Sequence, residues 1–80
     1  MDEQTLTYLT KFLKVLNEEI PPKNGPKHNI TLGDDWFLHL NIWIDDKFVV
    51  YILDADSIEA EPEVAVDSLC EILAIEGFIK

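Results

Sequence analysis

Positive charge is scarce in the last two-thirds of this chain. Residues 28–80 hold twelve acids and only two lysines, Lys47 and Lys80, and so carry the whole formal charge of -10. Residues 1–27 balance four acids against four lysines. Cysteine occurs once, as Cys70, which excludes an internal disulfide and a cysteine-based zinc cluster. A reducing, cytoplasmic setting is the expectation for such cysteine usage. Glycine occurs three times, with no glycine-rich phosphate loop. No apolar run approaches the roughly 18 residues that a membrane span needs. Met1-Asp2-Glu3 has neither the basic start nor the apolar stretch of a signal peptide, and none is expected. The acidic balance argues against direct binding of nucleic acid or anionic lipid.

What is present is enough for one folded domain over residues 1–80. The apolar share is 48%, whereas disorder needs low hydrophobicity as well as high charge. A chain this short buries roughly 60–65% of its unfolded surface, so modest stability is expected. Only the stretch from Asp54 to Glu63 reads as locally solvated.

Residues 3–20 read as a helix. Leu6, Leu9, Leu13, Leu16 and Ile20 follow a 3-4-3-4 spacing, which places them on one face. Tyr8, Phe12 and Val15 widen that stripe, and Thr7, Lys11, Lys14 and Glu18 take the other face. Asp2 suits the N-cap, and Pro21-Pro22 stops the helix. Residues 21–29 are a loop by composition, and 30–32 leave room for a short strand. Residues 36–44 alternate: Trp36, Leu38, Leu40, Ile42 and Ile44 share one face, and Phe37, His39, Asn41 and Trp43 share the other. Residues 48–54 are β-branched and aromatic, so they read as the second strand of a hairpin. A three-residue connection, Asp45-Asp46-Lys47, would pair Ile44 with Phe48. Phe48, Val50 and Ile52 would then join the core face, and Val49, Tyr51 and Leu53 would join Trp43 on the reverse. Residues 62–76 form a second helix, with Pro62 in its first turn and Val66, Leu69, Cys70 and Leu73 inward. Gly77 fits the left-handed position after a helix, and Phe78 can fold back on Leu73. The expected fold is α+β, of order α-β-β-α. Two helices pack on the Leu38/Leu40/Ile42 face of a small antiparallel sheet, a hairpin with room for a third strand.

Three constellations stand out. Glu63, Asp67 and Glu71 recur every fourth residue, stacking on one helix face roughly 6 Å apart. Like charges at that spacing destabilise an isolated helix by a few tenths of a kcal/mol. Asp54, Asp56, Glu59 and Glu61 lead into this ridge, and no lysine interrupts it on the helix itself. A row of carboxylates can take the place of nucleic-acid phosphates in a Lys/Arg groove. In charge and size, though in no motif, the chain resembles the small acidic DNA-mimic inhibitors made by phages and mobile elements. That class includes inhibitors of restriction enzymes, CRISPR nucleases and uracil-DNA glycosylase. The resemblance implies a basic, nucleic-acid-binding protein as partner.

The second constellation is Asp34-Asp35 before the hairpin with Asp54 and Asp56 after it, oxygen ligands suited in type to Ca²⁺ or Mg²⁺. The spacing Asp54-Ala55-Asp56-Ser57-Ile58-Glu59 lacks the glycine of an EF-hand loop, and no tight metal site or other cofactor is expected. The third is the reverse of the hairpin, with Trp43 and Tyr51 as interface residues; an exposed apolar face of that kind marks an interaction surface.

Catalytic groups are thin. Cys70 reads as a core thiol, His28 and His39 have no motif around them, and Ser57 and Ser68 lack a nucleophile turn. No enzymatic activity is expected. The sequence points to a binding protein whose acidic surface docks on a basic surface of a partner protein. The alternative is a small adaptor or assembly subunit that uses the sheet face, as a homodimer or with another chain.

Overall fold

The computed structural model describes residues 3–22, 26–53 and 60–79. Its elements are α1 (Glu3–Glu19), β1 (Asn29–Leu32), β2 (Leu38–Ile44), β3 (Lys47–Leu53) and α2 (Pro62–Ile75). The three strands form an antiparallel sheet in the order β1-β2-β3. Asp2, the expected N-cap, lies outside the described residues.

Both helices cover one face of the sheet. Phe12, Leu16 and Ile20 from α1 and its end meet Leu40, Ile42 and Ile44 of β2 and Val66, Leu69 and Leu73 of α2. Burial of these side chains is the main stabilising term, at about 1.5–3 kcal/mol for each fully buried aliphatic residue. Leu6, placed in the stripe by its spacing, is instead 59% exposed. The close of α2 is as expected: Gly77 has φ 86° and donates to the Ala74 carbonyl, and Phe78 donates to the Leu73 carbonyl at 2.8 Å. Those two bonds are the Schellman pattern, and they turn Phe78 and Ile79 onto the core.

Two further sequence readings need correction. The β2–β3 turn has two residues, not three, because Ile44 pairs with Lys47. Asp45 makes this turn with φ 56°, a left-handed conformation that Asp tolerates better than most residues. One residue of slip reverses a whole strand. Val49, Tyr51 and Leu53 therefore face the helices, while Phe48, Val50 and Ile52 face outward with Trp43. Trp36 is the second correction. It belongs to the turn before β2, at φ 66° and 86% exposed, and not to the core face.

An unforeseen clasp ties the loop to the sheet. His28 is 2% exposed. Its Nδ1 accepts the Trp43 N–H at 3.1 Å, so Nε2 carries the proton and donates to the Ile20 carbonyl at 2.6 Å. Its own backbone N–H donates to Asn17 Oδ1.

Two outcomes test this packing. Leu40→Ala should destabilise the fold by about 2–5 kcal/mol, and Phe48→Ala by far less. His28→Ala should strand two backbone groups at about 1–3 kcal/mol each. Denaturant titrations of the three variants read all three values.

Candidate functional surface

An odd number of antiparallel strands between two helices returns the chain to its starting direction, so α1 and α2 run parallel. The contacts agree. Tyr8 donates to the Ala60 carbonyl at 2.7 Å, Lys11 Nζ lies 3.6 Å from Glu63, and the Cys70 thiol feels the charge of Glu19. An open cleft of ≈ 660 Å³ at the far end is lined by Glu19, Ile20, Asp45, Lys47 and Gly77–Ile79. Both helix C-termini and the β2–β3 turn thus meet at one pole.

That pole is electrostatically costly. A helix C-terminus carries about half a negative charge, which Lys, Arg or His normally offsets. Neither last turn here has a basic residue. Glu18 and Glu19 end α1, Glu76 caps α2, and Asp45 and Asp46 form the turn. All five are exposed. Lys47 lies over the Phe78 ring at 5.8 Å, and Lys27 precedes the His28 clasp on the β1 side. Among the described residues, these two cations do not balance five acids.

The ridge leads into this pole. Glu63, Asp67 and Glu71 are all exposed on α2. Lys11 of α1 offsets Glu63, a cross-helix pair that the helix's own sequence does not reveal. An exposed pair of this kind is worth little, roughly 0–1 kcal/mol. Asp67 and Glu71 lie further along α2, with Glu19 nearby on α1. Glu63 is thus partly offset by Lys11, whereas Asp67 and Glu71 have no ion pair among the described residues. Glu61 is exposed just before α2, while Asp54, Asp56 and Glu59 lie outside the described residues. Glu18, Glu19, Asp45, Asp46 and Glu76 were missed as one group. Acids before Pro21 and before Gly77 were the signal, and the parallel helix direction was what joined them.

Tyr51 does not belong to an outward aromatic face. Its hydroxyl donates to Glu76 Oε2 at 2.7 Å. Burial first, and then the Glu76 carboxylate, push its pKa up to about 12. Trp43 does face outward, half-buried, with its ring centroid 4.9 Å from that of Phe48.

Among the described residues, the remaining chemical groups do not assemble into a site. Cys70 is half-buried, and burial, Glu19 and Asp67 all push its thiol pKa up. That is opposite to the shift that activates a thiol. Asp35 is held below the usual carboxylate range, chiefly by the Phe37 N–H, and both its oxygens lie 3.1 Å from His39 Nε2. Asp34 is exposed beside it, and its proposed companions Asp54 and Asp56 lie outside the described residues. Among the described residues, no three His, Cys, Asp or Glu side chains gather to hold a metal ion. A cavity of ≈ 340 Å³ between β3 and α2 is lined mainly by apolar side chains such as Leu40, Leu53, Ala65 and Leu69. Among the described residues, no helix is long and apolar enough to cross a membrane. No known family matches the chain, and no curated protein or solved structure is significantly similar to it.

The Tyr51–Glu76 bond gives a pH signature. An unfolded tyrosine ionises near its ordinary value of 10.0, and folded Tyr51 near about 12. The unfolded chain loses this proton first, so this contribution to stability falls as pH rises between those values. In a Tyr8→Phe background, the tyrosinate absorbance of the folded protein should rise only near the upper value. Glu76→Gln should shift that rise downward.

Proposed function

We propose that this chain is a non-enzymatic binding protein that docks its acidic helix pair on a basic surface of a partner protein. In its sharper form it occupies a nucleic-acid-binding groove and acts as an inhibitor of the protein that owns it. One observation carries the reading. Glu18, Glu19 and Glu76 stand at the C-termini of two parallel helices, where cations would stabilise the monomer. A surface held in that state gains most from a Lys/Arg-rich partner, which supplies from outside the charge that the helices lack. The ridge of Glu63, Asp67 and Glu71 extends the same field along α2.

In this reading the chain works in the cytoplasm and binds no nucleic acid itself. Lys23 and Lys27 are too few to outweigh the net charge of -10, and His28 is buried in its clasp. It needs no cofactor, and the raised Cys70 pKa fits a structural thiol.

The test is a charge reversal. Glu63→Lys, Asp67→Lys and Glu71→Lys together should leave the circular dichroism spectrum unchanged, since all three side chains are exposed. Capture from source-cell lysate at about 50 mM salt and release at about 500 mM should yield the basic partner. Against that purified partner the triple variant should associate more slowly and bind about tenfold or more weakly. Equal affinity for the variant and the original chain would reduce the ridge to a solvated face.

A further inference from the structure

The outer edge of β3 forms a self-complementary template. Closing a two-residue turn makes Ile44 and Lys47 exchange both backbone hydrogen bonds, and the pairs alternate from there. Lys47, Val49, Tyr51 and Leu53 therefore aim their backbone groups at β2. Phe48, Val50 and Ile52 aim theirs outward. The other side of β2 checks this alternation. There the Trp43 N–H points toward β1, and His28 Nδ1 accepts it. Among the described residues, β3 has no neighbour but β2.

The two edges of the sheet differ sharply. β1 is four residues long, carries Asn29 and Thr31 bonded to Asn41, and follows Pro26 and the His28 clasp. β3 is seven residues long and has no proline, and its one charged residue is Lys47 at its start. Long, uncharged edges invite strand pairing, and proteins usually block them. The side chains beside this edge are apolar as well. Phe48, Val50 and Ile52 are 56%, 45% and 56% exposed.

We propose that β3 pairs with β3 of a second copy of this chain, antiparallel, about a two-fold axis at Val50. That axis sets Val50 opposite its own counterpart, and Phe48 opposite Ile52 of the second copy. These three pairs are the ones whose backbone groups point outward, so each exchanges two hydrogen bonds. The result is one continuous six-stranded sheet. On its outer face, Phe48 of each copy lies beside Ile52 of the other, and Val50 beside Val50. A basic partner finds no acid on this strand, whereas an identical strand matches it group for group. Symmetric pairing of one patch with itself is the usual geometry of a homodimer. The exposed side chains supply well under the roughly 800 Å² per partner of a standard interface. The dimer is therefore weak and concentration-dependent. The acidic helix pair lies on the opposite side of the sheet and stays free in both copies.

Disulfide trapping tests the axis. In a Cys70→Ser background, Val50→Cys places two thiols on residues whose Cα atoms lie about 5.5 Å apart, within disulfide range. It should cross-link with its own copy under mild oxidation, at least about tenfold faster than Ile52→Cys, which faces Phe48 and not itself. Equal rates, or no cross-linking of Val50→Cys, would overturn the proposal. Sedimentation of the original chain supplies a second arm. Two copies of charge -10 repel each other, so raising salt from about 50 to about 500 mM should tighten the dimer severalfold. Acid-mediated docking on a basic partner weakens over the same range, so the two readings fail independently. A dimer that weakens with salt would count against β3 pairing. So would a chain that stays monomeric to millimolar concentration, even if it captures an extended peptide from another protein. Val50→Pro removes an N–H that faces the open edge and spares the β2 ladder. It should abolish the dimer with the fold intact. Should proline unfold the monomer, Val50→Lys serves the same end by placing like charges on the axis. Dimerisation that survives in a folded Val50→Pro or Val50→Lys variant would overturn the proposal.

Discussion

The pairing of Ile44 with Lys47 decides what this molecule presents to its surroundings. With only Asp45 and Asp46 outside the ladder, every residue of β3 has its side assigned. Tyr51 turns inward, toward Glu76, and ties the sheet to the end of α2. Phe48 turns outward against Trp43, and the exposed face becomes a row of apolar side chains. Lys47 is the first residue on the helix side, and its ammonium reaches the Phe78 ring. The inner packing, the outer patch and the chemistry of the pole all follow from one backbone register.

The molecule divides its surface into two unlike sides. The helix side collects charge, including the acids at the pole where both helices end. The sheet side collects apolar area and an open backbone edge. An arrangement that minimised the monomer's free energy would place cations at the helix ends and polar groups on β3. Neither is found. Small domains have little stability to spare, so two unfavourable surfaces on one domain of this size argue for two uses.

Much of this was legible in the sequence. The periodicity of α1 and α2, the alternation along β2 and the Gly77 close gave the right elements, and on the right face except for Leu6 and Trp36. The register of β3 was not, for a specific reason. Phe48, Val50 and Ile52 are as apolar as Val49, Tyr51 and Leu53, so hydrophobic alternation has no contrast to read. Turn length had to decide, and Lys47 looks like a turn residue until Phe78 is found beneath it. Trp36 failed differently, since an aromatic residue at a left-handed φ runs against ordinary preference. The ridge was visible as a spacing of four, but its partial neutralisation by Lys11 was not, because that contact crosses between helices. The acidic pole needed the parallel helix direction, a property of the whole topology and of no single segment.

The His28 clasp has a consequence for how the chain tolerates change. Ile20 and Asn17 on one side and Trp43 on the other hold the entry to β1 at a fixed point. The connection between Pro22 and Pro26 is bracketed by backbone that is already anchored. Its length can then vary without shifting the β1–β2 register, because closing a somewhat longer loop costs only fractions of a kcal/mol. The clasp, and not the length of that connection, therefore sets where β1 begins.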